Sequence, residues 1–137
     1  MIDCMILGDS IAVGVGQIRK ECVTYATSGI NSYNYVNRHI LHTDGNSTAK
    51  SIIISLGSND TKKINTYEEL LALRQLVKAD RVYWILPNIK ETKRQAVLAV
   101  AEQFKDNVID ARKYDRSPDA VHPTYKGYAN IAKDTHN

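Results

Sequence analysis

The run Ser51-Ile-Ile-Ile-Ser-Leu56 constrains this chain more than any other segment. Its apolar residues are consecutive rather than alternating, so a sheet with one wet face would leave some of them in water. β-Branched residues in an unbroken run suit a strand covered on both faces, as in parallel sheets. The rest of the chain supplies such cover. Short apolar runs at 2–7, 22–26, 81–86 and 107–109 read as four more strands, the third of these stopped by Pro87. Helical patterns lie between them. Residues 11–20 and 31–40 read as helices. Thr66 offers an N-cap with Glu69 completing a capping box, followed by an apolar stripe at Leu70, Leu73 and Val77. Val97, Val100, Ala101 and Phe104 form another stripe, and 123–134 closes the chain as a helix with Pro123 at an early position. Residues 42–49 read as a loop. The expected architecture is a three-layer α/β/α sandwich around a five-stranded, mostly parallel, flavodoxin-like sheet, spanning 1–137 as one domain.

Composition narrows the functions. The net charge of +3 is mild, and the 18 Lys and Arg are dispersed rather than clustered, which argues against nucleic acid as a partner. No apolar run approaches the ~20 residues of a membrane span, so no membrane insertion is expected. Residues 1–7 lack the basic start and cleavage site of a signal peptide, so a soluble, cytoplasmic protein is expected. Glycines at 8, 14 and 16 fit neither dinucleotide nor P-loop spacing, and position 12 is Ala rather than the second glycine of Gly-x-Ser-x-Gly. There is no Cys-x-x-Cys, and His39, His42 and His136 read as solvated side chains, so neither a metal nor a cofactor is expected. Cys4 and Cys22 read first as buried thiols, with a disulfide left open.

In an open parallel sheet, chemistry collects beyond the carboxyl ends of the strands. Gly8-Asp9-Ser10-Ile11 sits at such an end, where a helix start favours negative charge. Alone, Ser10 reads equally as a helix cap. Asp119-Ala-Val-His122 changes the balance. A serine hydroxyl needs a base to become a nucleophile, and imidazole titrates near neutrality. A carboxylate three residues earlier can fix the ring's tautomer. Gly57-Ser58-Asn59-Asp60 ends the isoleucine strand and offers a side-chain amide; Thr27-Ser28-Gly29 ends the second strand and offers an open backbone N–H. Each of these is also an ordinary turn.

As a set, these residues resemble the SGNH (GDSL-like) hydrolase superfamily. Gly8-Asp9-Ser10-Ile11 resembles its first block, with Ile in place of the usual Leu. Gly29 resembles the glycine of the second block, Gly57-Ser58-Asn59-Asp60 the third and Asp119-Ala-Val-His122 the fifth. The resemblance implies a serine hydrolase with Ser10, Asp119 and His122 as triad and with Ser10, Gly29 and Asn59 forming the oxyanion hole. Asp9, Tyr33, Pro87 and Asn88 are expected to contact substrate. Tyr25, Tyr33 and Tyr35 could stack on a sugar or be surface tyrosines. The loops are short for this family, which points to an open site and to small acyl esters or acetylated glycans rather than long lipids. Two other readings remain open: a compact lytic enzyme degrading cell-wall polymers, of the kind a phage carries, and a non-catalytic binding module on the same fold.

Overall fold

The computed structural model describes residues 2–43 and 47–136, with side chains 40–43 left aside. Five strands form one parallel sheet: β1 (Ile2–Gly8), β2 (Val23–Ala26), β3 (Ser47–Ser55), β5 (Arg81–Leu86) and β6 (Asn107–Asp110). Their order is β2-β1-β3-β5-β6, the flavodoxin-like order, and a two-residue strand, β4 (Val77–Lys78), adds to the amino end of β3. The helices are α1 (Ser10–Ile18), α2 (Ser32–Thr43), α3 (Thr66–Gln75), α4 (Glu91–Phe104) and α5 (Tyr125–Asp134).

The isoleucine run explains the layering. Ile52 and Ile54 enter an apolar cluster with Leu70, Leu73, Trp84, Val97 and Val100. Ile53 enters a separate cluster with Ile6, Ile11, Val15 and Ile131. Alternate residues of one strand therefore fill two cores: α2, α3 and α4 cover one face of the sheet, and α1 and α5 the other. All three isoleucines have no measurable exposure.

Some elements differ from the sequence reading. The helix expected to include Val77 ends at Gln75, and Val77 instead opens β4 beside Ser47. Asn65, not Thr66, caps that helix, its side chain accepting from the Glu68 N–H. The expected loop 42–49 is in part strand, since β3 begins at Ser47, while 44–46 lie outside the described residues. His39 is not solvated: it is buried, with Nε2 2.7 Å from the Ser47 hydroxyl. The side chain of His42 lies outside the described residues.

Cys4 and Cys22 are joined in a disulfide rather than left as thiols. Parallel pairing of Met5 with Val23 brings the residue before each to a Cα separation of 4.8 Å. A cross-link of this loop length contributes about 3 kcal/mol, mainly by restricting the unfolded chain. Reduction is expected to lower the melting temperature by roughly 10 °C, which scanning calorimetry with and without reductant would read. An unchanged melting point would show that the bond carries no stability.

Candidate active site

Register brings the candidate loops to one edge. Gly8 pairs with Ala26 on one side and Ser55 on the other, so β1, β2 and β3 end level. The loops bearing Ser10, Gly29 and Asn59 leave from neighbouring strand ends. Gly8 has φ +140°, and a Cβ there would fall 1.9 Å from the Ser55 carbonyl oxygen. Only glycine lets the chain pass that close before turning into α1.

Asp9 builds that turn. Its Oδ1 accepts from the Ile11 N–H at 3.1 Å and from the Ser55 hydroxyl at 3.1 Å. It is fully buried, and its Oδ2 has no partner. Burial pushes its carboxyl up to about 6. Asp9 was expected to contact substrate; it is instead the cap of α1 and lies beneath the surface. Because Asp9 does the capping, the Ser10 hydroxyl is left for other work.

That hydroxyl lies 2.8 Å from His122 Nε2, across 112 residues of sequence. His122 Nδ1 lies 2.7 Å from Asp119 Oδ2. A carboxylate facing Nδ1 favours the tautomer protonated there, which leaves Nε2 to accept from Ser10. Asp119 also organises the loop. Its Oδ1 accepts from the Val121 N–H at 2.9 Å and the His122 N–H at 3.0 Å, with the Ser117 hydroxyl at 2.8 Å. The bond to His122 and these N–H groups hold the Asp119 carboxyl well below the usual carboxylate range. Ala120, between the two, has φ +60°. Asp119 and His122 side chains are 51% and 40% exposed, so the pair is open to solvent.

The neighbouring loops are tied to each other. Asn59 Nδ2 donates to the Ile30 carbonyl at 3.0 Å, linking its loop to the one that carries Gly29. One amide hydrogen of Asn59 is thereby used, and a second remains. Gly29 has φ +79°, and a Cβ there would meet nothing within 4 Å. Its conformation favours glycine, while the space beside it is open. Among the described residues, neither the Ser10 N–H nor the Gly29 N–H donates to a protein acceptor.

Sequence reasoning missed two supports. Asp60 is buried and accepts from the Ser32 N–H at 2.7 Å, the Ser32 hydroxyl at 2.5 Å and the Thr66 hydroxyl at 2.6 Å. It pins the starts of α2 and α3 to the end of β3. Ser117 braces Asp119; the nearby Ser-Pro-Asp spelling was its only local sign. Of the other residues expected at substrate, Pro87 is buried with its ring beside Gly57, and Tyr33 is 53% exposed at the start of α2. Tyr35 is buried, its hydroxyl donating to the Tyr25 carbonyl at 2.6 Å.

Asn88 is also buried rather than presented to a ligand. Its Nδ2 donates to the Val121 carbonyl at 2.6 Å, anchoring the 119–122 loop to the end of β5. Asn88→Ala is expected to lower kcat by up to about 10²-fold, since displacement of the histidine by an ångström has costs of that order. Steady-state kinetics would check this; an unchanged kcat would remove Asn88 as a positioning residue.

Among the described residues, the one cluster with metal-ligand chemistry is Cys4, Glu21 and Cys22, and its sulfurs are bonded to each other.

No family model matches the sequence, and no curated protein matches it. Solved structures do. A GDSL-like lipase from Bacteroides thetaiotaomicron superposes with a TM-score of 0.71 at 16% identity, over 96% of this chain and 84% of that one. Est24, a carbohydrate acetylesterase from Sinorhizobium meliloti, superposes at 0.63 and 13% identity, over 98% of each chain. The C-terminal catalytic domain of peptidoglycan O-acetyltransferase A from Streptococcus pneumoniae superposes at 0.61 and 16% identity, over 97% and 89%. At these identities the likeness is one of architecture, and it agrees with the strand order and layering described above. The chain has the fold of the SGNH (GDSL-like) hydrolase superfamily.

Proposed function

We propose that this protein is a serine esterase that removes small acyl groups, with acetylated glycans as its substrate class. The observation that carries the reading is the 2.8 Å approach of Ser10 Oγ to His122 Nε2, with Asp119 behind the ring at 2.7 Å. Ser10 attacks the ester carbonyl carbon while His122 takes the hydroxyl proton. The carbonyl π electrons move to oxygen, and the N–H groups of Ser10 and Gly29 with the free amide hydrogen of Asn59 meet that charge. The intermediate collapses, the ester C–O bond breaks, and the departing alcohol receives the proton from His122. Water then attacks the acyl-serine by the same route, releasing a carboxylic acid and restoring Ser10.

The openness of the His122–Asp119 pair supports a substrate whose ester is displayed on a larger molecule rather than a lipid tail requiring an enclosed pocket. The likeness to a carbohydrate acetylesterase is consistent with that choice. A module that only bound its ligand would have no need of the aligned hydroxyl, imidazole and carboxylate. Reaction with a fluorophosphonate probe, and release of p-nitrophenol from p-nitrophenyl acetate, test the reading. Absence of both in folded protein would overturn it.

Asn59→Ala is expected to lower kcat by about 10²–10³-fold, the usual loss for one oxyanion donor. Because Asn59 also ties down the Ile30 carbonyl, the melting curve should be recorded beside the kinetics. A rate within threefold of wild type would take Asn59 out of the oxyanion hole.

A further inference from the structure

The groove between α1 and α5 has no role in the chemistry above. It is a cavity of about 460 Å³ lined by Gly14, Gln17, Ile18, Lys20, Tyr125 and Tyr128. That volume falls within the roughly 300–1,000 Å³ of small-molecule sites. One wall, α1, starts at Ser10, and the other, α5, starts three residues after His122. Gly14 lies one helical turn, ~6 Å along the axis, beyond Ser10. Tyr125 is the first residue of α5, three positions after His122.

The groove is built around its tyrosines. A Cβ on Gly14 would stand 2.4 Å from the Tyr128 ring, so any side chain there would displace the ring. Glycine in a helix interior costs about 1 kcal/mol against alanine. At this position it lets Tyr128 lie directly on the α1 backbone, which fixes one aromatic wall. Tyr125 supplies the other and is 80% exposed, far more than any other large apolar side chain described. The packing of the core does not use it. Burial, with the charges of Asp9 and Asp119, pushes the Tyr128 phenol up to about 12, so its hydroxyl stays a donor. Gln17 and Lys20 line the groove, are exposed, and offer further hydrogen-bonding groups.

We propose that this groove is a sugar-binding subsite, in which Tyr125 and Tyr128 pack against pyranose rings and Gln17 and Lys20 bond their hydroxyls. Flat aromatic faces beside an amide and an amine match the alternating apolar faces and hydroxyl rims of a sugar. Because α1 begins at Ser10 and α5 begins just after His122, a glycan on the alcohol side of the ester can run from those residues along this groove. The function of the groove thus rests on the esterase reading, and it locates the glycan away from Tyr25 and Tyr33. A cavity of about 340 Å³ also lies by Tyr25, Tyr35, Arg38 and His39. It lies between β2 and α2, across the sheet from the α1–α5 groove, and the Tyr35 hydroxyl there is already engaged.

The test titrates the Ser10→Ala protein with chitotetraose and with tetragalacturonate at millimolar concentration, read by amide chemical shifts. Saturable shifts at Gly14, Gln17, Ile18 and Tyr128 are expected with at least one of the two. Adding Tyr125→Ala to that background should weaken binding by about 3- to 10-fold, the loss of one aromatic contact. Shifts in neither titration, shifts confined to the Tyr25 cavity, or binding unaffected by Tyr125→Ala would overturn the proposal. Hydrolysis of p-nitrophenyl acetate by the wild-type protein, which involves no sugar, reports separately on the esterase reading.

Discussion

Ser10→Ala is expected to lower ester turnover by at least about 10⁴-fold, in line with removal of the nucleophile from other serine hydrolases. The fold should not notice the change. Asp9 caps α1 through its own carboxylate, and Ser10 occupies the first helical position, where alanine is well tolerated. Among the described residues, the hydroxyl's one side-chain partner is His122. Loss of turnover, loss of fluorophosphonate labelling and an unchanged melting curve form the expected triple result. Turnover within tenfold of wild type would mean that some other group attacks the ester, and the proposed mechanism would fail at its first step.

Asp119→Asn should cost nearly as much, about 10⁴-fold, but for a different reason. The amide oxygen can still accept from the Val121 and His122 N–H groups, so the loop keeps its shape. The amide nitrogen then faces His122 Nδ1 and donates to it. The ring proton moves to Nε2, and Ser10 loses its acceptor. Asp119→Ala removes both functions at once and should also loosen residues 117–122, where Ser117, Val121 and His122 all converge on that carboxylate. Comparing the two variants by kcat and by loop amide exchange separates orientation of the ring from folding of the loop. If Asp119→Asn kept turnover within tenfold, the carboxylate would be a loop brace and nothing more.

Much of the candidate site's layout was legible in the sequence because its parts are local. Asp119 and His122 sit three residues apart in one loop, and strand-end glycines mark Ser10, Gly29 and Asn59. The strand 81–86 was legible for the same reason, bounded by charge before and Pro87 after. What the sequence hid depends on distant partners. Thr66 looks like a cap, but its hydroxyl is taken by Asp60 from the preceding loop, and the cap shifts to Asn65. Val77 keeps the helical period of Leu70 and Leu73, yet β4 forms there because Ser47 offers a strand beside it. Asp9 and Asn88 stand next to candidate site positions, but both side chains turn inward, toward Ile11 and Ser55 in one case and Val121 in the other. Spacing gives a residue's place along the chain and not the direction in which its side chain leaves it. The Cys4–Cys22 bond was hidden likewise, since it depends on the register between β1 and β2.

That bond sits near the amino end of β1, while Ser10 follows its carboxyl end. The cross-link and the proposed nucleophile therefore sit at opposite ends of a single strand. Surroundings that break disulfides would shorten the molecule's survival against heat and proteases without touching the Ser10–His122 contact. Selection could adjust endurance at one end of β1 and substrate preference at the other, each with little consequence for its counterpart.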